Sequence, residues 1–295
     1  MKRTINLVGQ NTLTVSLPSE FVKKQGLKKG QEVDVEEQGN ALLIRTEKRP
    51  EPEVKKIVLD EVKPITKRYL DALYKKGYDE IEIHYKDKED LIPIKEALDN
   101  EMKTFEIVEK SQNLWKIRSV SELDDHEFDN LLRQTMILMK EMIKEMRQAI
   151  EEKNQKQLRE TVEFEKINNK LTHLLRRSLN RKGHPDYKNT ILIYIVIEQL
   201  EKAADEIRDF CRVYMLNNKE VAELIKDLDR FTELFYELFY HFDNKKVSEF
   251  ANKRKDFLRK LESVTKKENP QEFYHLRSYC EILFNLTGPI VSMSV

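Results

Sequence analysis

The sequence has little of what most catalytic or membrane-spanning chains display. It contains no P-loop, no GxGxxG and no GxSxG, which argues against nucleotide-dependent and serine-hydrolase chemistry. Its 6 histidines (His84, His126, His173, His184, His241 and His275) form no HxxxH or HExxH pair, so no classical zinc site is legible. The 2 cysteines, Cys211 and Cys280, belong to no CxxC and read as buried small hydrophobes of a reducing cytoplasm. The longest apolar run, residues 191–197, is much shorter than the ~20 residues of a membrane helix and reads as a buried helix segment. The opening "MKRTINLVGQ" has two basic residues but no apolar stretch of signal-peptide length. The expectation is a cytoplasmic protein without export or membrane insertion. An excess of one charge is missing too: 53 basic residues face 53 acidic ones, so any nucleic-acid footprint must be local.

What is present is amphipathic. The 295 residues are 39% hydrophobic and 36% charged, with a mean hydropathy of -0.67, as in a soluble, multi-domain chain rich in solvated helix faces. Of the 7 glycines, Gly9, Gly26, Gly30 and Gly39 fall in the first segment, where turns are needed. Leu13, Val15 and Leu17 alternate, Pro18 blocks the ladder, and Ser19 is placed to cap a short helix that stops at Gly26. Val33 and Val35 alternate again, "EEQGN" turns, and "ALLIRT" forms a fourth strand. The order is strand, strand, short helix, strand, strand. A unit spanning 1–48 lies close to the ~40-residue lower limit for folding alone and is expected to share its core with a second copy.

After the charged linker "EKRPEPEVKK", residues 56–120 read as a small α/β module. "KIVLD" is a strand, 63–76 a helix with Ile65, Tyr69 and Leu73 on one face, and "EIEIHY" a strand. A short helix with Pro93 in its first turn follows, then strands "TFEIVE" and "LWKIRS". From residue 121 the period becomes helical. Ser121 and Asp124 are read as a capping box, and Leu132, Met139, Met142 and Met146 form a core stripe. Further helices are expected over 155–181, 186–217, 219–242, 245–267 and 270–292, giving two three-helix bundles or one six-helix array. Glu201 and Asp205 in "LEKAADEI" recur as Glu281 and Asn285 in "CEILFNLT", a thin sign of duplication.

Two surfaces carry candidate function. Lys2, Arg3, Lys23 and Lys24, with Lys28 and Lys29, give the strand unit a basic edge that a dimer doubles, so phosphate contacts are expected there, with Asn11 and Thr12 near base edges. Glu201, Asp205 and Asp209 are spaced four apart and share a helix face where like charges repel. With Glu163 and Glu165 opposite, they form a candidate site for a divalent cation or iron. The alternative is an acidic face paired with Arg208, Arg212 and Lys202.

"GQNTLTVSLPSEFVKKQGLKKGQEVDV" resembles the AbrB/MazE/SpoVT swapped-hairpin DNA-binding domain, with Phe21 where that family commonly has Trp. The resemblance implies an intertwined dimeric β-barrel whose N-terminal hairpins build one DNA-binding surface. Residues 121–295 resemble the PhoU phosphate-uptake regulators. "LEKAADEIRDF" lies where that family has an acidic metal-binding helix, and "VEFEKINNKL" resembles its partner helix. The resemblance implies Glu201 and Asp205 as ligands, but Asn169, Lys166 and Asn285 stand at positions usually acidic there. At most one weak metal site, in the first repeat, is therefore expected. The module between also resembles the linker of archaeal fusions of these two families. The resulting expectation is a multi-domain α+β protein and no enzyme: a DNA-binding regulator of phosphate uptake, self-associating through residues 1–48. The alternative is regulation by docking on phosphate transporter or sensor components, with the strand domain mainly dimerising.

Overall fold

The computed structural model describes residues 2–46, 52–216, 220–265 and 270–294, with the backbone alone for 270–272. The proline linker around Pro50, the helix ends expected at Asn217, Lys219 and Lys267, and the "KKEN" connection lie outside the described residues. The chain divides into two compact units, residues 1–52 and 53–295.

The first unit contains β1 (Ile5–Val8), β2 (Thr12–Val15), α1 (Ser19–Gln25), β3 (Asp34–Gln38) and β4 (Ala41–Arg45), in the expected order. Gly9 at φ 68° turns the first hairpin and Gly39 at φ 64° the second, a conformation that costs glycine little. Ser19 does not cap α1. Pro18 holds the N-cap position without a side-chain bond, and its carbonyl accepts from the Val22 N–H at 2.9 Å. Within one chain the strands form two separate two-stranded sheets, β1-β2 and β3-β4, rather than a barrel. The physical reason lies in the side chains. Ile5 pairs with Val15 and Leu7 with Leu13, so one hairpin face is wholly apolar, yet Ile5, Leu7 and Leu13 are 64%, 63% and 68% exposed. No residue from Lys2 to Thr46 is buried.

The second unit begins with β5 (Val54–Val58), α2 (Leu59–Val62), α3 (Thr66–Lys76), β6 (Glu80–His84), a 3-10 turn at Lys88–Leu91, α4 (Ile92–Asn100), β7 (Phe105–Lys110) and β8 (Leu114–Ser119). The sheet order is β5-β6-β8-β7, with β5 and β6 parallel and the other pairs antiparallel. Ile81, Ile83, Trp115 and Ile117 are buried with Leu70, Tyr74 and Ile94 of the helices. The opposite side of the sheet carries a charge ladder, Lys56 to Glu82 at 3.0 Å and Lys116 to Glu109 at 2.9 Å. Pro93 sits in the first turn of α4, where its missing N–H is harmless. The buried residues of α3 are Thr66, Leu70, Asp71, Leu73 and Tyr74, while Ile65 is exposed. The expected 65/69/73 face is thus rotated, because α3 is covered by the helical array as well as by the sheet.

That array comprises α5 (Asp125–Glu151), α6 (Gln155–Glu160), α7 (Glu163–Lys182), α8 (Asn189–Val213), α9 (Glu220–Tyr240), α10 (Asn244–Thr265), α11 (Pro270–Asn285) and α12 (Thr287–Ser294). The capping box of α5 joins Asp124 to Glu127, not to Ser121. The helix expected over 155–181 is two helices that break at Thr161 and Val162. The last breaks at Leu286, where Pro289 removes a ladder donor from the following turn. Helices α5, α7 and α8 pack on one another, as do α9, α10 and α11. The two groups meet chiefly through α8 on α11 and α5 on α9, around one continuous core. The methionine stripe of α5 lies in that core. Cys211 and Cys280 are buried and free, and burial pushes both thiols up, Cys280 to about 12. Among the described residues no helix is long and apolar enough to cross a membrane.

The C-terminal half of α7 closes the end of α3. A helix ends with carbonyls that lack intrahelical donors. Here Arg177 donates to the carbonyls of Tyr74 (2.9 Å) and Tyr78 (2.7 Å), Asn180 to that of Lys75 (2.7 Å), and Arg181 to that of Gly77 (2.6 Å). Positive charge at this position also suits the helix dipole. Gly77, the C-cap of α3 at φ 108°, is required twice over, because a Cβ there would lie 2.8 Å from Arg181 Cγ. Gly77→Ala is expected to cost about 1–3 kcal/mol. A urea midpoint equal to that of the parent protein would contradict this account of the seam.

Candidate nucleic-acid interface and candidate metal positions

In the first unit the candidate DNA-contacting residues are all exposed. Lys2 and Arg3 precede β1, Asn11 ends the β1-β2 turn and Thr12 opens β2. Lys23 and Lys24 occupy the last turn of α1, which Gly26 ends in the left-handed conformation by donating to the carbonyls of Lys23 and Val22. Basic residues belong at a helix C-terminus, where they complement the dipole. The position that favours them there also leaves their ammonium groups on the solvent side.

Of the five candidate carboxylates, Glu165, Asp205 and Asp209 gather around Arg208, while Glu163 and Glu201 stand apart. Glu163 is exposed and bound to Lys166 at 2.9 Å. Glu165 is buried, and its Oε1 accepts from Asn169 Nδ2 at 2.5 Å and from Arg208 Nη1 at 2.8 Å. Arg208 also bonds Asp205, and its Nε donates to Asp209 at 2.8 Å. The seat that a cation would take among Glu165, Asp205 and Asp209 is therefore filled by a guanidinium. Burial opposes the charge on Arg208, yet the bond to Asp209 and the charges of Asp205 and Glu165 raise its pKa. Burial also pushes Asp205 up to about 6 despite Arg208, with Glu165 and Asp209 adding to the rise. These residues do not fit the multinuclear metal cluster that the family resemblance implies. Glu281, the counterpart in the second half, is likewise engaged by Arg254 at 2.9 and 2.8 Å. Of the expected basic partners, Arg208 and Arg212 do pair with the acidic face, whereas Lys202 binds Glu198.

Glu201 points elsewhere. It is in contact with Arg176, accepts from Thr172 Oγ1 at 3.3 Å, and lies 3.2 Å from His173 Nε2. Nδ1 of His173 in turn faces Asp71 on α3, at 2.8 Å, and Glu101 at the end of α4, at 3.9 Å. Burial acts to raise the pKa of Asp71, but His173 and Lys75 outweigh it and hold the carboxyl below its ordinary range. The sequence reading missed both this cluster and the Arg177–Arg181 seam, whose members come from segments far apart in the chain with no shared motif.

Comparison with known proteins bears on the first unit. Residues 8–52 match the family model described as antidote-toxin recognition MazE, bacterial antitoxin. The N-terminal unit is thus similar to DNA-binding or antitoxin-type regulatory domains of the MazE/AbrB kind, and the match covers none of the second unit. No curated protein and no solved structure matches the chain.

Proposed function

We propose that the protein is a dimeric DNA-binding regulator, acting as a transcriptional repressor, whose second unit senses or docks a partner. The carrying observation is the unburied apolar face of a unit that matches the MazE model: such a unit acquires a core only against a second copy. Two copies set their basic residues at either end of one surface, the arrangement that spans successive phosphates. The phosphate-uptake setting rests on the likeness of residues 121–295 to PhoU. No catalytic step is assigned.

Identifying the DNA bound by the full-length protein in cells tests this reading. Sequence-selective sites upstream of phosphate-transport operons are expected. Binding to transporter components with no DNA selectivity would replace it with regulation by docking. Phosphate contacts release counterions, so affinity should fall steeply with salt. Replacing Arg3, Lys23 and Lys24 by alanine should flatten the log–log salt slope by about 0.9 for each DNA phosphate that is no longer neutralised. An unchanged slope would place the DNA surface on other residues.

A further inference from the structure

We propose that Asp71, Glu101 and His173 form a site for one divalent transition-metal ion, of the zinc or manganese class, where α3 and the end of α4 meet α7. One potential ligand atom from each of the three residues lies within 4.8 Å of the other two. His173 is only 3% exposed. Its Nδ1 is 2.8 Å from Asp71 Oδ1, yet among the described residues neither ring nitrogen of His173 nor Asp71 Oδ1 makes an aligned hydrogen bond. A buried imidazole without an aligned partner is costly. Lone pairs that converge at about 3 Å without a proton on the line between them are what the edge of a coordination polyhedron with bonds of about 2.0–2.2 Å requires.

The surroundings fit the same reading. Lys67 Nζ holds Glu101 Oε1 at 2.7 Å, and Lys75 Nζ holds Asp71 Oδ2 at 2.6 Å. Each carboxylate therefore ties one oxygen to a lysine and turns the other toward His173 Nδ1. On the far side of the ring, Nε2 faces Glu201, which Arg176 and Thr172 hold in place. A carboxylate at the second nitrogen is the usual outer partner of a metal-ligating histidine, and a turn of the ring that aligned Nε2–H with Glu201, 3.2 Å away, would fix the tautomer that leaves Nδ1 bare. Glu201, expected from the sequence to be a ligand, thus takes the outer position. The imidazole favours zinc, iron or manganese over magnesium and calcium, which prefer oxygen alone. An ion here would join the α/β module to the helical array, and this inference does not depend on the DNA reading.

The test is calorimetric titration of chelator-stripped, full-length protein with Zn2+ and, in parallel, Mn2+, together with the thermal midpoint in the presence and absence of metal. One equivalent per chain and a raised midpoint are expected. Glu201→Gln should weaken binding about 10–100-fold, and Glu101→Gln should weaken it more. Asp205→Asn should leave it unchanged. His173→Gln should abolish binding. Because His173 is buried and its replacement can unfold the seam, the partly buried Glu101 carries the decision. Failure of the parent protein to take up either ion would overturn the assignment. So would undiminished affinity in Glu101→Gln, or loss of binding in Asp205→Asn.

Discussion

Arg177→Ala is expected to lower the stability of the second unit by about 3–5 kcal/mol, the range for removing one member of a buried charged network. Arg177 is 2% exposed. Its Nη1 satisfies the carbonyls of Tyr74 and Tyr78, and its guanidinium lies 5.1 Å from the ring centres of both Tyr74 and Phe105. Burial, together with the nearby charge of Arg181, already depresses its pKa to about 10, a sign of how little water reaches it. The alanine variant takes the arginine donor from the Tyr78 carbonyl, at about 1–3 kcal/mol, strips a second donor from the Tyr74 carbonyl, which keeps the Gly77 N–H at 3.0 Å, and leaves two rings facing a void. For a unit of this size, each kcal/mol moves the melting temperature by about 2–4 °C. The loss should be local. Amides of β5 to β8 should exchange faster, while those of α8 and α11, whose seam is pinned by His275 and Ser278 on Glu206 at 2.7 Å each, keep their protection. A melting temperature within a degree of the parent would mean that apolar packing alone joins module and array.

This seam shows where a sequence reading ends. The helices of the second unit were legible because their apolar residues recur every three or four positions, whereas the capping box was read one turn early, at Ser121 and Asp124 rather than Asp124 and Glu127. The strands of the module were legible from the alternation of their apolar residues. What could not be read was which polar residue meets which. "RRSLNRK" looks like a solvated basic stretch. Only the fold shows that Arg177, Asn180 and Arg181 reach the end of α3. The acidic face of α8 shows the same limit from the other side. The spacing of Glu201, Asp205 and Asp209 correctly placed them along one helix. Arg208, three residues beyond Asp205 and adjacent to Asp209, was the available signal that a cation was built in. Spacing could not tell that Glu201 turns from this group toward His173, because that depends on how α7 sits against α8 and α3.

In the first unit the order of elements was legible from glycine and proline, and the shortness of the unit led to the expectation of a core shared with a second copy, in keeping with apolar residues left exposed within one chain. Leu7→Asp combined with Leu13→Asp is therefore expected to abolish self-association of residues 1–46 and DNA binding together. The two leucines are directly opposed in the β1-β2 register and flanked on the same face by Ile5 and Val15, and the second hairpin likewise exposes Val35 and Leu42. Fixing each residue costs about 1–2 kcal/mol of backbone entropy, and a unit that buries no side chain has nothing to set against it. Covering a large aliphatic residue returns about 1.5–3 kcal/mol, so two copies closing their hairpin faces gain a core that neither has alone. Two aspartates at the centre of that face place four carboxylates in the dimer in a face that must be buried, and like charges directly opposite destabilise a strand pair further. Amide exchange of β1 and β2 in the full-length protein should rise to the rate of an unstructured chain, with the helical circular dichroism of the second unit unchanged. Slow exchange at β1 and β2 in the double variant, with DNA affinity retained, would show that the hairpins are ordered by something other than each other.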